Sequence, residues 1–408
     1  MLKVTHINQS DIVGGAAIAG YRLHQGLLSQ GIDSRLLVDK VSTNSDRVAQ
    51  INRKRTVEHL LCRLSSRLGL NYTLIPSTFN FPKHPLIQEA DILNFHNLHG
   101  EYFNYLAIPS LAKHKPIVFT LHDMWSFTGH CAYSFDCDKW KIGCGNCPYP
   151  QTYPSISIDN TRLEWKLKQW VYNRSQLTIV TLSHWLTKQA QQSLFNHFSI
   201  YHIPNGIDTQ AYQPLNQDQS RSLLNIPTGK KVLIAAAQSF KDSRKGGDLL
   251  LEALSLLPDS LKTEIVLLSI GTAGEAFAET LGIQTINLGY IGGDRVKAIA
   301  YSAADLCVFP TRADNLPLVL QESMACGTPM VSFNVGGVPD LVRPNITGYL
   351  AKPEDAKDFS QGIVQLLEDY PLREKMSAKC RAIALQEYPI ELQAKRYIEL
   401  YQQVLDKK

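Results

Sequence analysis

Short apolar runs recur along this chain at the spacing of a parallel sheet, and they come in two successive sets. The first set reads Val4 to Ile7, Ser34 to Val38, Ile92 to Phe95, Ile117 to Leu121, Leu177 to Thr181 and Ser199 to Ile203. The second reads Lys231 to Ala237, Glu264 to Ile270, Thr285 to Leu288, Asp305 to Phe309 and Met330 to Phe333. Segments with helical spacing, such as Ala16 to Gln30, lie between them. Strand, helix, strand in repeated order predicts two doubly wound α/β sheets. Pro204-Asn-Gly-Ile-Asp208, followed by polar residues to Gln219, marks the boundary. Ligands of such sheets bind beyond the carboxyl ends of the strands, so an interdomain cleft is the expected site.

At 408 residues each half is long enough for its own core. A content of 44% hydrophobic and 19% charged residues fits a globular chain rather than a disordered one. The net charge of +4 gives no nucleic-acid footprint. No apolar run approaches the roughly 18 residues of a spanning helix. The chain enters a strand at Leu2 without the regions of a signal peptide. A reducing, cytoplasmic compartment is therefore expected, which disfavours disulfides among the eight cysteines.

The chemistry concentrates in Asp314-Asn-Leu-Pro-Leu-Val-Leu-Gln-Glu322-Ser-Met-Ala-Cys-Gly-Thr-Pro329, between two apolar runs. One acid sits in the loop after a strand, and a second lies eight residues later on an apolar helix. If the residues between are helical, the carboxylates stand roughly 12 Å apart along the axis, about the span from sugar to ribose in a nucleotide diphosphate sugar. Free N–H groups at a helix start near Asn315 and Leu316 would favour an anion between them. The competing reading is a solvated cap acid at Asp314 and an ordinary surface glutamate at Glu322.

This segment resembles the acid-x7-acid motif of the retaining glycosyltransferases of family 4, also called glycosyl transferases group 1. Gly336-Gly337-Val-Pro-Asp340, Asn345-Ile-Thr-Gly348 and Ile203-Pro-Asn-Gly-Ile-Asp208 strengthen the likeness. Members usually carry Glu at the first acid, where this chain has Asp314. The resemblance implies the GT-B fold: two Rossmann-like doubly wound domains with an interdomain cleft. Residues 1–204 would form the acceptor-binding domain and 205–385 the nucleotide-sugar-binding domain. The helix expected from Ile390 to Leu405, within 386–408, would cross back to the first domain. The resemblance also implies transfer of a hexosyl unit from a nucleotide diphosphate sugar to a glycan or lipid-linked acceptor, with no metal needed. Bacterial polysaccharide biosynthesis, in the cytoplasm or at the cytoplasmic face of the inner membrane, is the usual setting. A GT-B sugar-nucleotide epimerase or hydrolase, and a non-catalytic sugar-binding partner, remain as alternatives.

Carried over residue by residue, Asp314 would bind hydroxyls of the donor sugar, helped by Asn315 and Leu316, and Glu322 would bind the ribose. Gly14 and Gly15, which precede a helix, would let backbone amides approach the diphosphate; a tight strand-to-helix turn is the plainer reading. Lys245, in Ser239-Phe-Lys241-Asp-Ser-Arg244-Lys245-Gly246, matches the family lysine that neutralises the leaving diphosphate. The usual arginine about six residues earlier is missing, and Lys241 or Arg244 is left to compensate. Backbone near Tyr290 and Ile291 would read the base. His122, at the end of the Ile117 run, matches a histidine placed beside the transferred sugar; a turn cap is the alternative. Asp123 would orient His122 or hold the acceptor. His96 and Asn97 belong to an acceptor-side loop or are plain polar loop residues.

Two features fall outside the motif. Cys131, Cys137, Cys144 and Cys147 end in a Cys-x2-Cys pair, and four thiolates can hold a structural zinc. Two disulfides, or thiols packed as small apolar groups, compete with that reading. The stretch from Arg53 to Leu68 places Val57, Leu60, Leu61, Leu64 and Leu68 at helical spacing among five cations and Glu58. A packed helix with a solvated polar face is the ordinary reading, and contact with an anionic membrane surface is the other.

Overall fold

The computed structural model describes residues 1–274 and 282–407. The chain divides into two compact units, Met1–Gly206 together with the segment from Glu391 onward, and Ile207–Ile390.

Unit 1 carries a seven-stranded sheet among the described residues. Its strands are β1 (Lys3–Ser10), β2 (Asp33–Lys40), β3 (Val48–Gln50), β4 (Ile92–Phe95), β5 (Ile117–Leu121), β6 (Leu177–Thr181) and β7 (Ser199–His202). They run in the order β3-β2-β1-β4-β5-β6-β7. Every pairing is parallel, with Val4 opposite Ile92 and Leu93 opposite Ile117. All five residues of β5 are buried, as a strand covered on both faces requires. The sequence reading missed β3 because it is a three-residue edge strand with no buried residue.

The helix Ile390–Asp406 lies against this sheet. Ala394, Tyr397, Leu400 and Tyr401 form its buried stripe and cluster with Val4, Leu23, Ile92, Val118 and Val180. A buried tyrosine needs a partner for its hydroxyl. Asn94 Nδ2 donates to Tyr401 Oη at 2.7 Å, and the Tyr397 hydroxyl meets Thr120 Oγ1 at 2.9 Å. Those partners sit on β4 and β5, two residues before His96 and His122 respectively, so this helix props the strand ends that carry both histidines.

Among the described residues, unit 2 has a six-stranded sheet of β8 (Lys231–Ser239), β9 (Ile265–Thr272), β10 (Gln284–Asn287), β11 (Leu306–Phe309), β12 (Met330–Phe333) and β13 (Gly348–Ala351). The order is β10-β9-β8-β11-β12-β13, again wholly parallel. Its core is Leu233, Leu250, Leu267, Val308, Val331 and Phe359 with their neighbours. Burying each such side chain contributes roughly 1.5–3 kcal/mol.

Two glycines fix loops at the carboxyl ends of these strands. Gly246 has φ 68°, and a Cβ there would lie 1.9 Å from the Pro310 carbonyl oxygen. Gly336 has φ 52°, and its Cβ would meet the Asp314 carbonyl oxygen at 2.1 Å. Only glycine permits both the left-handed backbone and the approach.

Candidate functional site

In unit 2, Asp314 follows β11 and is 9% exposed. Lys245 Nζ lies 2.6 Å from its Oδ2, and Arg244 Nη1 lies 3.4 Å from the same oxygen. Arg244 Nη1 also donates to the Ala313 carbonyl at 3.0 Å. Burial alone would push the Asp314 carboxyl up, but Lys245 and Arg244 hold it below the usual range. Burial pulls Lys245 down while Asp314 opposes it, and we read the pair as ionised. Of the two cations left to replace the missing arginine, Arg244 reaches the acid, whereas Lys241 is exposed.

The expected helix start is corrected. The helix spans Leu318–Ala325 with Pro317 as its cap, so Asn315 and Leu316 precede it. Pro317 has no N–H, and the Asn315 amide donates to Asp314 Oδ1 at 3.0 Å. These two residues are therefore not helix-terminal amides, and the rise expected for a continuous helix between the acids does not apply. Glu322 lies on this helix, 3% exposed. Tyr301 Oη donates to its Oε2 at 3.3 Å, and Lys297 Nζ stands 3.7 Å from Oε1. Burial of both acids removes the reading of a solvated cap and a surface glutamate. Lys297 was missed in the sequence; it shares a helix face with Tyr301, four residues on, in Asp294–Ala303. Tyr290 is exposed in the loop after β10, and Ile291 is half-buried beside it.

In unit 1, Gly14 (φ 96°) caps the helix Gly15–Ser29. Nothing lies within 4 Å of a Cβ built at Gly14 or Gly15, so the backbone there is open to a ligand. His122 sits half-buried at the end of β5, its Nε2 3.0 Å from His96 Nδ1. His96 Nε2 is in turn 2.9 Å from His6 Nδ1. His96, in the loop just after β4, is only 2% exposed and both its nitrogens are engaged. Burial lowers His122 to about 4, so the ring is neutral. Asp123 is held by His99 Nε2 at 2.9 Å and by the Trp125 amide at 2.9 Å. Asn97 is half-buried, and its carbonyl accepts the Tyr102 hydroxyl at 2.5 Å.

Lys168, also missed, is fully buried. Its Nζ donates to the carbonyls of Trp125 (2.6 Å) and Thr128 (3.0 Å) and lies 3.9 Å from the Trp125 ring centre. It ties down the loop that leaves His122 and Asp123.

All four loop cysteines are free and half-buried. Gly129 N–H donates to Cys144 Sγ at 3.2 Å. His130 Nδ1 donates to the Pro154 carbonyl at 2.8 Å, which leaves Nε2 to accept from the Cys147 thiol at 3.2 Å. Among the described residues this cluster does not bring three ligand atoms within 4.8 Å of one another, so a zinc ion would require the thiols to rotate inward.

The helix Arg55–Arg67 is turned the unexpected way. Glu58, Cys62 and Ser65 face inward. Glu58 is gripped by Arg53 Nε at 2.8 Å and the Ser77 amide at 2.8 Å. Val57 (54%), Leu60 (62%), Leu64 (52%) and Leu68 (53%) are exposed instead, beside exposed Lys54, Arg55, Arg63 and Arg67. No helix among the described residues is long and apolar enough to cross a membrane.

Comparison with known proteins follows the two units. The model of Glycosyltransferase Family 4 matches residues 13–211, and that of Glycosyl transferases group 1 matches residues 216–382. The putative colanic acid biosynthesis glycosyl transferase WcaC of Escherichia coli (strain K12) is 28% identical over 374 residues, covering 84% of this chain and 85% of its own. Among solved structures, the sucrose-phosphate synthase of Thermosynechococcus elongatus superposes with a TM-score of 0.75 at 18% identity, with 100% of both chains covered. Alr3699/HepE of Anabaena, solved in complex with UDP and glucose, gives 0.71 at 16% identity over 99% of this chain and 100% of its own. The fold is GT-B. With both units matched in succession, the chain belongs to the glycosyl transferases group 1, its first half being of the Glycosyltransferase Family 4 type.

Proposed function

We propose that the protein is a retaining hexosyltransferase that draws on a nucleotide diphosphate sugar and extends a glycan or lipid-linked acceptor in polysaccharide biosynthesis. The observation that carries this reading is the buried pair of acids, each with its own cation: Asp314 with Lys245 and Arg244, Glu322 with Lys297. A buried carboxylate beside a cation is a ready acceptor for sugar hydroxyls. A diphosphate entering beside Asp314 takes over the contacts of Lys245 and Arg244, freeing the carboxylate to bind the sugar. The same two cations then stabilise the charge that develops on the departing phosphate oxygen. Glu322 accepts from the ribose hydroxyls. The open backbone at Gly14 and Gly15 serves the phosphates, and the loop at Tyr290 and Ile291 the base.

With no carboxylate assigned as nucleophile, retention rests on front-face attack. The acceptor oxygen bonds to the anomeric carbon as the bond to phosphate breaks, and the leaving phosphate oxygen takes the acceptor proton. Catalysis then comes from positioning and charge stabilisation. His122 and Asp123 serve the sugar and acceptor side. The outward apolar stripe of Arg55–Arg67, edged by cations, suits peripheral contact with an anionic membrane that carries a lipid-linked acceptor. UDP-glucose, named in another HepE complex, is a reasoned first donor to try.

The test combines thermal shift with a panel of nucleotide sugars and turnover with the donor that binds. One nucleotide sugar should raise the melting temperature. Glu322→Ala should remove most activity while leaving the fold intact. Near-wild-type turnover by that variant, or no shift with any nucleotide sugar, refutes the reading.

A further inference from the structure

Arg312 joins three segments of unit 2 around the loop that carries Arg244 and Lys245. Ser243–Lys245 is a single 3-10 turn between β8 and the helix Gly247–Ser255. It closes on itself through Asp242, whose Oδ1 accepts from the Arg244 amide at 3.0 Å and whose carbonyl accepts from the Lys245 amide at 2.8 Å. Those bonds shape the turn but do not place it against Asp314. The placing bonds come from the residues just before Asp314. The Arg312 amide donates to the Arg244 carbonyl at 2.8 Å, and Thr311 Oγ1 donates to the same oxygen at 3.1 Å. Arg312 Nη1 donates to the Ser243 carbonyl at 2.7 Å.

The guanidinium is itself held from two other sides. Asp248, in the first turn of Gly247–Ser255, accepts from Nη1 at 2.8 Å and from Nη2 at 2.6 Å. Glu354, in the loop after β13, accepts from Nε at 3.0 Å. Two carboxylates on one guanidinium already answer its charge, so Arg312 is no stand-in for the missing arginine. Stability does not explain the arrangement either. The Asp248 and Glu354 side chains are 65% and 56% exposed, and ion pairs open to water contribute little. What the fork supplies is direction. A planar guanidinium with parallel bonds to one carboxylate has a fixed orientation, which a lysine's ammonium does not reproduce. Held in that way, the side chain pins the Ser243 carbonyl while its own amide pins the next one.

We propose that Arg312 is a positioning residue for the leaving group: its side chain fixes the Ser243–Lys245 turn so that Lys245 and Arg244 stand ready for the diphosphate. This role rests on the transferase reading above. The turn is ordered before the ligand arrives, so binding does not carry the entropy of fixing it. Arg312 acts through the two cations and not by touching the diphosphate.

The test uses the full chain and calorimetric titration with UDP, ADP, GDP and TDP, each paired with its nucleoside. In the wild type one diphosphate should bind more tightly than its nucleoside. Arg312→Met and Arg312→Lys should each weaken that diphosphate on the order of tenfold and leave the nucleoside unchanged. Asp248→Ala, on an exposed residue that orients the guanidinium, should give a smaller loss of the same kind, and it serves as the test should the Arg312 variants fail to fold. In an Arg244→Met/Lys245→Met background, Arg312→Met should cost no further affinity, since residues that act as one unit are not additive. Wild-type affinity in Arg312→Lys assigns the effect to charge, and wild-type affinity in Asp248→Ala removes the fixed fork; either overturns the proposal. So do equal losses for diphosphate and nucleoside, which mark a general loosening of unit 2, and a further loss in the background without the two cations. A wild type that prefers no diphosphate over its nucleoside refutes the transferase reading itself, and the positioning role with it.

Discussion

Replacing Lys168 with methionine should weaken unit 1 by an amount that grows with pH. The substitution keeps the apolar stem and removes the ammonium that bonds the Trp125 and Thr128 carbonyls and lies 3.9 Å from the Trp125 ring centre. Charge-assisted hydrogen bonds contribute about 1.5–3 kcal/mol each. A desolvated cation–π contact adds about 2 kcal/mol. Against them stands the cost of burying the charge, since burial lowers Lys168 from 10.5 to about 8. That shift amounts to about 3 kcal/mol near neutral pH, so the net loss in the variant is about 2–5 kcal/mol. The folded value lies below the unfolded one, so the unfolded chain binds more protons between pH 8 and 10.5 and wild-type stability rises with pH there. About 2 kcal/mol should return between pH 7 and about 9.5. Glu164, already pushed up to about 7 by burial, loses the Lys168 charge in the variant and moves higher. The variant therefore gains nothing over that range. All five tryptophans lie between Trp125 and Trp185, so urea unfolding followed by tryptophan fluorescence reports on unit 1 alone. A variant as stable as wild type at pH 7, or a stability gap that does not widen toward pH 9.5, refutes the assignment.

Gly336→Ala forces a Cβ to 2.1 Å from the Asp314 carbonyl oxygen at φ 52°. The left-handed backbone alone costs about 1–2 kcal/mol, and the clash must displace Asp314. The thermal shift given by the best nucleotide sugar should shrink or vanish, and an undiminished shift would contradict the placement of Asp314 in the donor site. Co-sedimentation with vesicles rich in anionic phospholipid at low salt should capture the wild type. Leu60→Ser with Leu64→Ser should cut the bound fraction at least tenfold, since each buried leucine is worth about 1.5–3 kcal/mol. Equal binding by both proteins would clear the Arg55–Arg67 stripe of any lipid role. For the cysteines, if the four thiols rotate onto one ion, protein grown with zinc should retain about one equivalent per chain after dialysis. Zinc content near zero, with Cys131, Cys137, Cys144 and Cys147 all open to alkylation after unfolding, would end the zinc reading.

What the sequence disclosed follows from how each feature is encoded. Strands covered on both faces leave continuous apolar runs, so β4, β5, β11 and β12 were legible, whereas edge strands β3 and β13 were not. Asp314 and Glu322 carry a local signature, because a short loop and one helix fix their spacing, and Lys245 carries its own in the lysine that precedes Gly246. The helix start was misplaced by about one turn because the donors were credited to Asn315 and Leu316, while Pro317, which cannot donate, is the cap. Groups that act through tertiary contact left almost no local trace. Lys297 reaches Glu322 from another helix, and Lys168 reaches back some forty residues to the Trp125 and Thr128 carbonyls.

The linked rings of His6, His96 and His122 show where such a trace does survive. His6 is buried in β1 between Thr5 and Ile7, and a polar ring in that position must find a partner, here on a neighbouring strand. Parallel pairing places His6 opposite Asn94 on β4, two residues before His96, and β5 brings His122 alongside. A histidine inside a buried strand, with others just past the ends of adjacent strands, is thus a sequence signal for an interior network. It gains its meaning only once strand order is known, because β1 meets β4 across roughly ninety residues of intervening chain.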